Sequence, residues 1–460
     1  MRRILIVALC TWLAFRAYAQ DRPNVLIIVA DDLGWNDVSF HGSEISTPEI
    51  DSMALSSIIL DRFYVTPICS PTRAGVMTGK YPNRFGMRYG VCSPTTINGL
   101  PDGEKTIADG FEELGYPNRA AFGKWHLGHS NVKYHPLNRG FNYFYGHYNG
   151  AIDYFTHKRD AEVDWHRNYE SVHEKGYSTD LITADVIRYL AQVKGDGPFL
   201  AYVAFNAPHS PMQAKQEELE RYGYDPEIGP RDDYPVGGQQ TGERERDVYG
   251  MQGRGNDLRQ TYSAMVSSMS QGFGQIIDYL KEEGLFENTV IWFMSDNGGT
   301  YRFGGDNKPL RGQKHTEFEG GVRGVSFIKP AHFKGDISSV DQVTSYIDIL
   351  PTAISLVGGK PIAGLDGIDI QPALTGEQLP HRYLYLGNNA LVSDNWKLVQ
   401  GELFAIAADP NETVNVAPAY PDTLISLTHR VKELSEMDQG EYIFQPEGWL
   451  PPKDWKMETD

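Results

Sequence analysis

Three uninterrupted apolar runs constrain the fold of this chain more than any other feature. Residues 24–30 read NVLIIVA, 198–205 read PFLAYVAF and 289–294 read TVIWFM. A strand with one face in water alternates apolar and polar residues. A continuous, β-branched run is covered on both faces, as in a parallel sheet between helical layers. Helical patterns at 48–57, 105–114, 179–193 and 258–283 separate the runs. Strands alternating with helices predict an α/β sandwich with a mostly parallel sheet. In such sheets ligands bind beyond the carboxyl ends of the strands. Here those ends read Asp31-Asp32-Leu33-Gly34, Asn206-Ala207-Pro208-His209 and Ser295-Asp296-Asn297-Gly298-Gly299, so the three turns are expected to meet at one site.

The flanking segments have different textures. Arg2 and Arg3, a short apolar stretch and Ala17-Tyr18-Ala19 form a secretory leader with an A-x-A cleavage site, so residues 1–19 are expected to be removed. Loss of Arg2, Arg3 and Arg16 takes the formal charge from −18 to −21. That charge disfavours nucleic acid as a partner, and no later run has the length of a membrane helix, so stable membrane insertion is not expected. The expectation is an exported protein, periplasmic or secreted. Residues 222–255 read as a long polar surface loop. From about residue 364, short apolar segments at 383–386, 396–399 and 403–406 predict a small antiparallel sheet, with a helix near 423–433. The expected division is a catalytic domain at 20–363 and a C-terminal subdomain at 364–460.

The stretch 68–80, ICSPTRAGVMTGK, carries the most chemistry. Pro71 suits the start of a helix, which places Cys69 just before it. A group there faces free backbone N–H donors, and Arg73 adds a bidentate donor for a tetrahedral oxyanion. By itself a cysteine beside an arginine reads equally well as a buried structural thiol. The stretch resembles the signature C-x-P-S/T-R-x-x-x-L/M-T-G of the type I, formylglycine-dependent sulfatases. The resemblance runs along nearly the whole chain after the leader, in order: Asp31-Asp32-Leu33-Gly34, Thr47-Pro48-Glu49-Ile50-Asp51, Gly123-Lys124-Trp125-His126-Leu127-Gly128, the block 206–211, Ser295 to Gly299, and Pro309-Leu310-Arg311-Gly312-Gln313-Lys314 followed by Glu319-Gly320-Gly321. Within that family, Gly140 to Gly146 is similar to a segment of the arylsulfatase B-like carbohydrate sulfatases.

The resemblance implies an alkaline-phosphatase-like α/β sandwich and a sulfuric ester hydrolase acting on a sulfated glycan. It implies that a maturase partner oxidises Cys69 to formylglycine (3-oxoalanine). One hydroxyl of the aldehyde hydrate would attack sulfur, and deprotonation of the other would expel sulfate, a release step an ordinary serine lacks. Cys92 would then remain unpaired. Asp31, Asp32, Asp296 and Asn297, with residue 69, form a set of hard oxygen ligands suited to Ca²⁺ first and Mg²⁺ second. Arg73 and Lys124 are assigned to the nucleophile and sulfate oxygens, and His126 to deprotonation of the second hydroxyl. His209 and Lys314 are assigned to the bridging oxygen and the leaving alcohol. Nine aromatics within 141–169, with His147, His157 and His166 among them, read singly as core rings and together favour a sulfated glycan, on whose sugar rings such faces stack. The competing readings are a phosphate or phosphonate monoester hydrolase of the same superfamily and a catalytically dead glycan-binding homologue.

Overall fold

The computed structural model describes residues 22–230, 252–335, 337–440, 446, 448 and 450–459. The leader expected at 1–19 and most of the polar loop lie outside these residues. The three apolar runs become β1 (Asn24–Ala30), β7 (Phe199–Ala204) and β8 (Thr289–Ser295), every residue of them buried. They lie side by side in a ten-stranded sheet with the order β10-β2-β9-β8-β1-β7-β3-β4-β5-β6. The remaining strands are β2 (Ile58–Leu60), β3 (Asn118–Lys124), β4 (Tyr143–His147), β5 (His166–Arg167), β6 (Glu170–Ser171), β9 (Ser326–Lys329) and β10 (Ser339–Val340). The central five, β8-β1-β7-β3-β4, are parallel, and antiparallel partners flank them on both sides.

Period-2 geometry explains the continuous hydrophobicity. Val25, Ile27 and Val29 point into one core, and Leu26, Ile28 and Ala30 into the other. Each fully buried Val, Leu or Ile contributes about 1.5–3 kcal/mol, so this strand alone anchors both layers. The second core takes α1 (Pro48–Leu55), α4 (Ser178–Val193) and α5 (Leu258–Glu282). The first takes α2 (Cys69–Thr78), α3 (Ile107–Glu113) and α7 (Ile349–Leu356), and it continues without a break into the C-terminal sheet.

That sheet has four antiparallel strands in sequence order: β11 (Leu384–Gly387), β12 (Ala390–Val392), β13 (Lys397–Val399) and β14 (Glu402–Phe404). Helix α8 (Pro421–Ser435) packs on it. The sequence reading anticipated three of these strands and the helix. The strand it passed over, β12, follows Asn388-Asn389, both at positive φ, which is the two-residue hairpin turn that asparagines favour.

Two other expectations are corrected. Cys69 is the first residue of α2 rather than the residue before it, with Pro71 in the same turn. The first-turn N–H groups have no intrahelical partner, so the missing Pro71 donor costs nothing there. The aromatics at 141–169 are mostly core rather than a sugar-stacking surface. Phe141, Phe144, Tyr145, Tyr148, Tyr154 and Trp165 are buried, as are all three histidines. They stack on one another, His166 on Tyr148 at 3.9 Å and His157 on Trp165 at 4.7 Å. None of the described helices is long and apolar enough to cross a membrane.

Candidate active site

The strand-end turns converge as the parallel topology requires. The Asp31 N–H donates to Ala207 O at 3.1 Å, and the Asp296 N–H to Ala30 O at 3.0 Å. These bonds tie the loops after β1, β7 and β8 together. Tyr154 Oη donates to both Asn206 O and His209 O, at 2.6 and 2.7 Å, which fixes the turn that carries His209.

Helix α2 enters this cluster end-on, and its sequence explains its placement. Thr72 Oγ1 accepts from the Thr66 N–H at 3.1 Å, folding the incoming chain against the first turn. Ser70 Oγ donates to His126 O at 2.9 Å, joining the helix to the loop after β3. At the other end Gly79 adopts φ +64°, and its N–H donates to Gly75 O at 2.8 Å, a left-handed helix stop that a side chain would strain. All ten residues of α2 are buried.

Around Cys69 the structure gathers three carboxylates and three cations, all buried. Lys124 Nζ bonds to Asp31 Oδ2. Lys314 Nζ straddles Asp32, 2.6 Å from Oδ1 and 2.8 Å from Oδ2. Arg73 grips Asp296 Oδ2 through Nε at 3.1 Å and a terminal nitrogen at 2.8 Å, while its other terminal nitrogen donates to Lys124 O at 2.8 Å. In this form Arg73 and Lys124 therefore hold the acids in place. Asn297 Nδ2 donates to Asp32 Oδ1 at 2.7 Å. His209 Nε2 lies 3.7 Å from Asp32 Oδ2, and its Nδ1 is 2.6 Å from Ser210 O. His126 sits at φ +57° beside Ser70, with no hydrogen bond to Nδ1 among the described residues.

Electrostatics follow from this packing. Burial pushes the Cys69 thiol up, against the pull of Lys124 and Lys314. Burial and the charge of Asp31 raise Asp296 despite Arg73. Burial opposes ionisation of Asp32, yet Lys314, His209 and Lys124 hold it below the usual carboxylate range. His126 is held neutral by burial and then by Lys124 and Arg73. Burial lowers His209 to about 3; Asp32 opposes the fall, and Lys314 and Lys124 add to it. Burial opposes the charge on Lys314, but Asp32, with Cys69 and Asp31, more than offsets it and the ammonium is held above its ordinary range.

The donor set fits a hard divalent cation. Asp31 Oδ1 and Asn297 Oδ1 are buried and accept no hydrogen bond among the described residues, an expensive arrangement unless another group uses them. Asp31, Asp32 and His209 bring donor atoms within 4.8 Å of one another. His209 is not among the expected metal ligands, yet its donor atom lies as close to Asp31 and Asp32 as a shared cation requires. With three carboxylates and an amide against one imidazole, oxygen chemistry still dominates.

The remaining motif residues have structural explanations. Gly298 and Gly320 meet backbone to backbone, and a Cβ on Gly298 would lie 1.9 Å from Gly320 O. This close approach seats Glu319–Val322 (α6) beside the Asp296 turn. The C-terminal sheet braces the same segment. Lys397 Nζ lies 2.8 Å from Glu319 Oε1 and 2.9 Å from Glu412 Oε1, and the Glu319 N–H donates to Glu412 Oε2 at 2.7 Å. Arg88 bonds Glu317 at 3.1 Å, and Arg311 bonds Glu402 at 3.0 Å. Lys397 opens β13, and Glu412 lies in the chain beyond β14. Their function as a brace for the Lys314 loop needs the fold, because 78 and 93 residues separate them from Glu319.

Comparison with known proteins gives the same direction. A family model described as Sulfatase matches residues 23–359. Mouse arylsulfatase J is 30% identical, over 90% of this chain and 76% of that protein. Mouse N-acetylgalactosamine-6-sulfatase is 28% identical, over 82% of this chain and 71% of its own length. Among solved structures, Ps i-CgsB in complex with k-i-k-neocarrahexaose superposes with a TM-score of 0.80 at 30% identity, covering 93% of this chain and 95% of that one. Cys69 at a helix start, ringed by acids and cations at the ends of parallel strands, is thus found in a chain that belongs to the sulfatase family, with the alkaline-phosphatase-like fold and the sulfuric ester hydrolase activity of that family.

Proposed function

We propose that the protein is an exported hydrolase that removes sulfate from a sulfated carbohydrate, with residue 69 as nucleophile after conversion of Cys69 to formylglycine. One observation carries the reading: Cys69 occupies the first turn of α2 among buried Asp31, Asp32, Asp296, Asn297, Arg73, Lys124, His126 and Lys314, with half-buried His209 beside them. The carbohydrate part draws support from the relatives, one named for N-acetylgalactosamine-6-sulfate chemistry and one solved with a neocarrahexaose. Division into a catalytic domain at 20–363 and a bracing subdomain at 364–460 is consistent with the separate four-stranded sheet.

Asp31, Asp32, Asp296, Asn297 and residue 69 would hold the cation, Ca²⁺ first and Mg²⁺ second. When bound there, a divalent cation would neutralise charge on the sulfuryl group and favour the ionised nucleophile. The chain's own residues do the rest. Arg73 and Lys124 orient Asp296 and Asp31 and set positive charge beside residue 69 and the sulfate oxygens. His126, with an unengaged ring nitrogen, would take the proton from the second hydroxyl of residue 69. His209 and Lys314, both at Asp32, would hold the bridging oxygen and protonate the departing alcohol. The surface as a whole is acidic, so this local cluster must overcome long-range repulsion at short range.

The test is a desulfation screen. Protein co-expressed with a formylglycine-generating maturase is offered defined sulfated oligosaccharides, aryl sulfate and aryl phosphate. Sulfate release from at least one saccharide, with aryl sulfate preferred to aryl phosphate, is the expected result. Preference for the phosphate would replace this reading with a phosphomonoesterase, and saccharide binding without turnover would point to a dead homologue.

A further inference from the structure

His315 stands out from the site just described. It follows Lys314, yet its side chain is exposed to solvent while Lys314 is buried. Its backbone sits at φ +74°, a left-handed conformation that glycine adopts freely and a histidine adopts with strain. Two contacts hold it there. Its N–H donates to Pro67 O at 2.8 Å, two residues before Cys69, and the Lys314 N–H donates to Gly299 O at 3.1 Å. The turn is closed by Thr316 Oγ1, which accepts from the Gln313 N–H at 3.1 Å and donates to Gln313 O at 2.7 Å. The imidazole makes no side-chain hydrogen bond among the described residues, although it lies within electrostatic range of Lys314 and Asp32.

These features combine into an open hydrogen-bonding ring on a backbone pinned to the Pro67 and Gly299 segments, next in sequence to Lys314 and within electrostatic range of Asp32. A left-handed position that also carries a polar ring uses the side chain for something the turn itself does not require. We propose that His315 is a substrate-contacting, specificity-determining residue that hydrogen-bonds a ring hydroxyl flanking the sulfate ester on the saccharide. The proposal rests on the carbohydrate reading above and deepens it. An imidazole can donate from one nitrogen and accept at the other, which suits a sugar hydroxyl. An aryl sulfate has no such hydroxyl, so the contact separates the two substrate types.

The experiment compares matured wild-type protein with His315→Gly and His315→Gln on a sulfated oligosaccharide that the wild type hydrolyses and on nitrophenyl sulfate. Glycine removes the ring and relieves the strain, so the fold survives and Tm does not fall. His315→Gly is expected to lower kcat/KM on the saccharide by about tenfold, the scale of one lost hydrogen bond, and to leave nitrophenyl sulfate turnover within about threefold. His315→Gln is expected to recover part of the saccharide activity. On the saccharide lacking the flanking hydroxyl, wild type and His315→Gly should converge. Equal losses on both substrates, or an unchanged saccharide rate, would overturn the proposal while leaving the carbohydrate reading intact. Failure of the wild type to hydrolyse any sulfated saccharide would overturn both.

Discussion

Replacing Lys397 with methionine removes one buried charge and nearly preserves volume. Lys397 is fully buried between Glu319 and Glu412, with Nζ 2.8 and 2.9 Å from their carboxylate oxygens. Without it, Glu319 keeps Tyr64 Oη at 3.2 Å and Arg323 at 3.4 Å. Glu412 keeps the Glu319 N–H. Removing one partner of a buried ion pair costs about 3–5 kcal/mol. Unfolding entropy scales at about 2.1 cal/mol/K per residue, or about 0.9 kcal/mol/K for a chain of this size, so Tm should fall by about 3–5 °C. The loss should also depend on pH. Burial already raises the Glu412 carboxyl above its ordinary value, with Lys397 pulling it down, so its removal raises the carboxyl further. A folded-state value above the unfolded one means that the folded protein binds the extra proton, so stability falls as pH rises through that range. The Tm deficit of Lys397→Met relative to wild type should therefore be larger at pH 8 than at pH 5. Thermal denaturation monitored by tryptophan fluorescence at both pH values measures it. A deficit under 1 °C, or one identical at the two pH values, would refute the argument that Lys397 neutralises two buried acids and thereby clamps the C-terminal sheet to the Lys314 loop.

Three further outcomes follow from the site and the core. Chelation of divalent cations should lower sulfate release and calcium should restore it better than magnesium, with Asp31→Asn losing about 100-fold or more in kcat; full turnover by a metal-stripped preparation would exclude the cation site. His209→Ala should retain a larger fraction of its activity on nitrophenyl sulfate than on a sulfated saccharide, because a basic sugar alkoxide needs a proton that an activated phenolate does not; equal fractional losses would remove His209 from the leaving-group side. In the core, burial holds His129 at about 4 and His135 at about 3. Unfolding lets both take up protons near pH 6.5, so stability is full above that value and declines as pH falls. On the order of 2 kcal/mol per histidine is lost by pH 5, and an acid-side denaturation series in which His135→Gln fails to flatten the decline would contradict this.

The parallel core was legible because its cause is local: a strand covered on both faces has no polar side to display, as β1, β7 and β8 show. Convergence of Asp31, His209 and Asp296 followed from one topological rule about strand ends. The short outlying strands were illegible for the opposite reason. Ile58–Leu60, Ser339–Val340 and His166–Arg167 are too short to set up a period and exist because a neighbour pairs with them. The aromatics of 141–169 misled because composition does not record direction, and the backbone turns six of the nine inward. Ion-pair assignments such as Arg73 to Asp296 and Lys314 to Asp32 span 223 and 282 residues, so only the folded chain could show which cation holds which acid.

The central claim is that residue 69 acts as nucleophile only after its thiol has been converted to an aldehyde. The most direct measurement follows the mass of the peptide containing residue 69 together with sulfate release, across preparations made with graded amounts of maturase. The converted peptide should be about 18 Da lighter than the thiol form, and turnover per mole of protein should rise in proportion to the converted fraction, reaching zero in Cys69→Ala. Full sulfate release from protein whose peptide retains the unmodified thiol, or from Cys69→Ala, would contradict the account.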